Sequence, residues 1–353
     1  MATLKDLSEH TGYSIATISR ILNNDPSMSA SEATRQRVLQ AAEELNYAAT
    51  KSRKGRNMKA TLHIGVIISC PYLQRQTSYE QLWLANIEQV CKEMKVSWSE
   101  LHFDPNDPFA ARGSELDGIL AVGLFHNAQI NWLFHLCKNV VFVDASPDEI
   151  HYDAVEANNL AGMTQAMEYL MNFGHENIGY LGPCHTQHSP ERRLGSDVLY
   201  GLYQDAMRMY GFEPNHWALS APVDTLETER VLDSYLSKSR ELPTAILAAT
   251  EENARGAISA FEHHGLQIPR DISMIAFSDI VLHWPEKPAL TVVQLQADAM
   301  CKAAIRLIHE RLPGRSPQGV RSVPKKVLIP PLLIRRQSVM DCRAPLLLEA
   351  DSW

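Results

Sequence analysis

The chain has 353 residues, 45% of them hydrophobic, and a formal charge of -8 at pH 7. That length accommodates two or three domains with a sizeable core, and the overall acidity by itself argues against a nucleic-acid binder. No apolar h-region opens the chain and no run approaches the roughly 18 apolar residues of a membrane span, so a soluble cytoplasmic protein is expected.

The charge is uneven. Residues 1–60 carry nine Lys/Arg against six Asp/Glu, whereas the remainder carries 24 against 35. A small basic head that meets polyanions, attached to an acidic body with another task, is the expected organisation. The six cysteines lie far apart with no CxxC pair, which fits reduced thiols and no disulfide or zinc framework.

In chain order, "LKDLSEHTG" reads as a short helix with Leu4 and Leu7 on one side, halted by Gly12. A second helix starts after Ser14, a good N-cap, and stops near "NNDP". A third, "SASEATRQRVLQAAEELNY", is capped by Ser31, with Val38, Leu39, Ala42 and Leu45 at helical spacing. Three short helices with a tight turn between the first two outline a helix-turn-helix head over residues 1–46, its motif at about 4–23.

On the second helix Ile18 and Ile21 or Leu22 face inward, leaving Ile15, Ala16, Thr17, Ser19, Arg20 and Asn23 outside. Small residues let a helix approach a DNA groove, hydroxyls meet phosphates, and arginine grips guanine bidentately. The alternative is an ordinary exposed helix of a small bundle. Residues 47–60, "YAATKSRKGRNMKA", hold five bases and no acid, an exposed basic linker.

From residue 61 strand and helix alternate. "LHIGVIIS", "DGILAVG", "NVVFVDA", "NIGYLGP", "TAILAAT" and "ISMIAFSD" are short apolar runs, separated in part by "LWLANIEQVCKEM", "AGMTQAMEYLMNFG" and "ARGAISAFEHHG". Continuous apolar strands spaced by helices predict parallel sheets covered on both faces. Residues 61–337 suffice for two doubly wound α/β subdomains with a ligand cleft at the strand C-termini. Residues 338–353 form a tail that packs or frays, too short for a coiled coil.

The motifs of common enzymes are missing: no GxxxxGK[ST], no GxGxxG after a strand, no GxSxG and no HExxH. No catalytic residue, metal site or cofactor is expected. His185 and His188 of "HTQH" have helical metal spacing but follow a loop-forming "GP", and His263 and His264 of "EHHG" suit a helix C-terminus.

"TLKDLSEHTGYSIATISRILNN", followed by "SEATRQRVLQAAEELNY", resembles the DNA-binding head of the LacI/GalR family of repressors. The match falls on Thr3, Asp6, Leu7, Thr11, Gly12, Ser14, Thr17, Ile18, Ser19, Arg20, Leu22 and Asn23, with Ser8 where the family usually has alanine. It continues into "VEANNLAGMTQAMEYLMNFGHENIGYLGP" and "ARGAISAFEHHGLQIPRDISMIAFSD", so it spans nearly the whole chain.

The resemblance implies a periplasmic-binding-protein-like core of two subdomains and a homodimeric regulator of carbohydrate genes. It would bind double-stranded operator DNA and answer to a small sugar or glycoside. It implies that Ile15, Ala16 and Arg20 face base edges, and that Thr3, Ser14, Thr17, Ser19, Asn23, Ser31, Thr34 and Tyr47 rest on phosphates. The competing class is a cytosolic sugar-binding or sugar-modifying protein that does not act on DNA.

The linker departs from the family pattern: no leucine follows Arg53 or Lys54, and Gly55 or Arg56 stands there instead. A weaker minor-groove wedge is expected, with Lys51, Arg53, Lys54 and Arg56 on phosphates or in the groove. The effector site departs as well. Ser69 and Asp144 stand at matching strand ends, but Thr250 and Glu251 replace the usual Asn-Asp, and Ser278 and Asp279 the usual Asp-Asp. Arg193 comes slightly early for the family's arginine, and the register aligning Gly201 puts Val198 in its place. Trp284 can stack on a sugar ring and Tyr72 can donate a hydrogen bond, ordinary packing being the alternative for both.

Overall fold

A computed structural model describes residues 4–22, 30–44, 61–70, 78–104, 116–148, 150–184, 195–213, 217–238, 241–279, 289–314 and 320–343. The chain divides into two units, residues 1–60 and 61–353.

In the first unit, α1 (Leu4–Thr11), α2 (Ile15–Leu22) and α3 (Glu32–Glu44) surround a core of Leu7, Ile18, Ile21, Val38 and Ala41. The turn from α1 to α2 needs a left-handed residue, and Gly12 supplies it at φ +73. Both later helices are capped by serine. Ser14 Oγ accepts the Thr17 amide at 3.1 Å, and Ser31 Oγ accepts the Thr34 amide at 3.2 Å.

The second unit holds two six-stranded sheets. The first has the order β11-β5-β4-β3-β1-β2, built from β1 (His63–Ser69), β2 (Ser97–Glu100), β3 (Gly118–Gly123), β4 (Val140–Val143), β5 (Asp153–Ala157) and β11 (Lys326–Ile329). The second has the order β12-β10-β9-β8-β6-β7, built from β6 (Ile178–Gly182), β7 (Ala218–Ser220), β8 (Ala245–Ala248), β9 (Ser273–Phe277), β10 (Thr291–Gln294) and β12 (Leu332–Ile334). Every pairing is parallel except β10 with β12. The central strands β3, β4, β6, β8 and β9 are buried along their whole length, as strands covered on both faces must be.

Helices α4 (Ser78–Met94) and α10 (Ala297–Glu310) cover one face of the first sheet, and α5 (Asn127–Leu136) covers the other. In the second sheet α6 (Asn159–Asn172) and α7 (Gly195–Met209) lie opposite α8 (Thr225–Leu236) and α9 (Glu251–His263). The chain crosses between the sheets three times: from β5 to α6, from β10 to α10, and from β11 to β12. Residues 338–343 pack against the second sheet. Ser338 Oγ accepts the Thr291 amide at 2.8 Å, and the Met340 amide reaches Ser273 Oγ at 3.0 Å. Among the described residues no helix is long and apolar enough to cross a membrane.

Candidate DNA-reading helix and effector cleft

On α2 the buried Ile18 and Ile21 leave Ile15 47% exposed and Arg20 on the outside. Ala16 and Ser19 lie on the same helix, but their side chains fall outside the described residues. Four of the hydroxyls expected at phosphates pair two by two: Ser14 with Thr17 at 2.9 Å and Ser31 with Thr34 at 2.8 Å. Each pair sits at a helix N-terminus, where amides and hydroxyls together suit an anion. Thr3, Asn23, Tyr47, Lys51, Arg53, Lys54 and Arg56 lie outside the described residues.

In the second unit the expected effector residues lie at strand ends of both sheets. Ser69 closes β1, and its carbonyl accepts the Leu124 amide at 2.8 Å. That approach requires Gly123 at φ +95, because a Cβ there would stand 2.2 Å from the Ser69 oxygen. Asp144, just beyond β4, adopts the left-handed conformation at φ 74 and accepts the Tyr79 hydroxyl proton at 2.8 Å. Burial pushes its carboxyl up to about 6, helped by the charges of Asp279 on the other sheet and Glu156 on β5, while the Tyr79 bond pulls it down. Burial, then Asp144, lifts the Tyr79 phenol well above its ordinary value.

Asp279, beyond β9, is more tightly engaged than a free ligand-binding carboxylate. It accepts the Leu295 amide, the Gln296 amide at 3.1 Å and the Ala297 amide at 2.8 Å. It therefore caps α10 from a distance, since Gln296 at the N-cap makes no side-chain cap bond of its own. Burial raises its carboxyl even against those three amides. Ser278 beside it is buried, its amide donating to Val293.

Thr250 is likewise committed locally. Its hydroxyl accepts the Asn253 amide at 3.2 Å and donates to Asn253 Oδ1 at 3.0 Å, capping α9. Next to it Glu251 is buried; Arg255 holds Oε1 at 2.7 Å, while Oε2 has no hydrogen-bond partner. Tyr72, Arg193 and Trp284 lie outside the described residues.

Tyr79, Glu156, Gln165 and Gln296 were not expected at the site. Gln165 bridges the third crossing, donating to the Pro331 carbonyl at 3.0 Å and accepting the Leu333 amide at 3.1 Å. Gln296 donates to the Pro330 carbonyl at 2.5 Å. No local pattern marks these contacts: Tyr79 meets Asp144 65 positions away, Glu156 meets Lys326 170 away, and Gln296 and Gln165 reach the third crossing 34 and 168 away.

A three-helix head with an exposed second helix, and a body of two parallel sheets with Asp144 and Asp279 beyond their strand ends, make up the architecture of a DNA-binding regulator with a ligand-binding core. Residues 3–49 match the bacterial regulatory proteins of the lacI family, and residues 167–339 match the periplasmic binding protein-like domain. The chain is 30% identical to the HTH-type transcriptional repressor MelR of Bacillus subtilis (strain 168) over 350 residues, covering 96% of this chain and 97% of MelR. The regulator GanR of the same organism is 28% identical, with 96% of this chain and 100% of GanR covered.

A lac repressor dimer bound to operator and the anti-inducer ONPF shares the fold, with a TM-score of 0.61, 21% identity, and 96% and 99% of the two chains covered. The regulator CelR in complex with cellobiose also has a TM-score of 0.61, at 18% identity, covering 96% and 100%. The chain belongs to the lacI family of bacterial regulatory proteins. It is a sequence-specific DNA-binding transcriptional regulator and not an enzyme.

Proposed function

We propose that this regulator is a cytoplasmic homodimeric repressor of carbohydrate-utilisation genes, released from its operator by a small neutral sugar or glycoside bound between the two sheets. The observation that carries the effector reading is the convergence of Asp144 and Asp279 from opposite sheets, close enough for one charge to raise the other's pKa. The half-buried carboxylates and Tyr79 suit a ligand rich in hydroxyls; an anionic ligand would meet the same charges unfavourably. The full-length similarity to the repressor MelR supports the sign of control.

In the head, Arg20 and Ile15 are assigned to base edges and the Ser14–Thr17 and Ser31–Thr34 pairs to phosphates. The basic linker supplies further phosphate contacts through Lys51, Arg53, Lys54 and Arg56. The test is binding of the purified chain to its own promoter region at about 150 mM salt, with and without a panel of sugars. Arg20→Ala is expected to weaken operator binding by about 5- to 150-fold, the equivalent of one bidentate base contact of about 1–3 kcal/mol. Unchanged binding by that variant removes Arg20 from base readout, and indifference to every sugar removes the effector assignment.

A further inference from the structure

On the face of the second sheet that carries α8 and α9, Glu229 and Asp233 stand one turn apart on α8, opposite His263 and His264 at the end of α9. One ligand atom each from Glu229, Asp233 and His263 lie within 4.8 Å of one another. His263 Nδ1 is 3.1 Å from Glu229 Oε1, and His264 Nε2 is 3.3 Å from Asp233 Oδ1.

The second of these contacts is unusual for an ion pair. Asp233 Oδ1 is buried, yet it makes no hydrogen bond of acceptable geometry. A buried carboxylate oxygen that makes no hydrogen bond keeps its lone pairs for a further centre. Ligand atoms around a tetrahedral ion with bonds of about 2.0–2.1 Å are separated by about 3.3 Å, close to the 3.1 Å between His263 Nδ1 and Glu229 Oε1.

We propose that Glu229, Asp233 and His263, with His264 alongside, bind one divalent transition-metal ion of the zinc type. The donor set decides the class. Imidazole with carboxylate suits zinc, nickel or copper, whereas calcium and magnesium take oxygen donors throughout. Three protein ligands leave a fourth position for water. The ion would tie α8 to the C-terminal end of α9, the helix whose other end carries Thr250 and Glu251.

The experiment is zinc titration of the full-length chain by calorimetry at pH 7.5 in a non-chelating buffer, repeated with cobalt(II) and read by absorbance. The expected result is one ion per chain, weakened at least tenfold in both His263→Asn and Glu229→Gln, without the intense near-ultraviolet thiolate band of cobalt. Circular dichroism checks that each variant is folded, and His135→Asn on the exposed face of α5 leaves affinity unchanged. No stoichiometric binding overturns the proposal. Binding that survives both substitutions, or cobalt spectra showing thiolate ligation by the cysteines, overturns it equally.

Discussion

Asp279 is the residue whose removal tests the site most directly. Its carboxylate accepts the amides of Leu295, Gln296 and Ala297, which open α10 and form the second crossing between the sheets. In Asp279→Ala those amides lose their acceptor, and the helix loses both a cap and an anion at its positive end. A lost cap costs about 0.5–2 kcal/mol, and a partly buried charge at a helix N-terminus contributes up to about 2 kcal/mol. Burial of the carboxylate, which raises its pKa, offsets part of that.

The expected net loss for Asp279→Ala is about 2–4 kcal/mol, the range set by a cap plus one charge-assisted hydrogen bond. Asp279→Asn keeps one acceptor oxygen but turns an NH2 toward an amide, so it recovers only part of the loss. Urea unfolding, with the midpoint and slope fitted together, measures the change; a thermal shift of about 4–8 °C should accompany it. Stability within 0.5 kcal/mol of wild type in Asp279→Ala, or full recovery in Asp279→Asn, refutes the remote-cap argument.

Asp153 is fully buried between Arg311 at 2.5 Å and Arg321 at 2.7 Å, so Asp153→Asn is expected to destabilise by about 3–5 kcal/mol in the same assay. Hydrogen bonds and charge from both arginines outweigh burial and hold that carboxyl below its usual value, so its stabilisation is present above about pH 4 and disappears as pH falls through the folded pKa. His175 is buried, and burial lowers its pKa below 6.5, so the unfolded chain takes up the proton first. Stability therefore falls as pH drops below about 6.5, and the difference between wild type and His175→Asn shrinks from pH 7.5 to 5.5 in urea titrations. Tyr79→Phe removes the hydrogen bond that lowers the Asp144 carboxyl, so the pH midpoint of effector affinity should move upward from about 6. An unchanged profile in direct binding measurements would dissociate Asp144 from the effector.

The central strands were legible because burial on both faces leaves no polar alternation: "GILAVG" and "SMIAF" can hardly be anything else. The strand "DAVEA" was not, because it begins and nearly ends on acids. Asp153 tolerates that burial through Arg311 and Arg321, 158 and 168 positions away, and through the Lys325 amide at 2.7 Å. Edge strand β11, "KVLI", alternates between exposed and half-buried positions and is too short to announce itself. In the head, Ser14 and Ser31 were legible as caps because a cap is a local device, fixed by its own next three residues. Asp144 and Asp279 could be placed at strand ends by pattern. What each carboxylate holds could not, because Tyr79 lies 65 residues from one and the amides of α10 lie 16 to 18 from the other.

Those long-range contacts link the two sheets through α4 and α10. Asp144 binds Tyr79 in the first turn of α4. Further along, α4 packs against α10 through the buried Cys91 and Cys301, and Glu93 meets Lys302 at 3.0 Å. Helix α10 lies under the first sheet, with Ile308 filling the space above Gly118, yet it starts on Asp279 from the second. A ligand that moves Asp144 relative to Asp279 must therefore strain α4, α10 or the bond at one of their ends. The two glutamines limit which of these yields. Gln296 and Gln165 tie the second and third crossings to neighbouring backbone, so the crossings shift together rather than singly. Packed helices are stiffer than a few hydrogen bonds, so the expected response is a concerted rotation of one sheet against the other about the three crossings, with α10 carried as a rigid lever about 21 Å long.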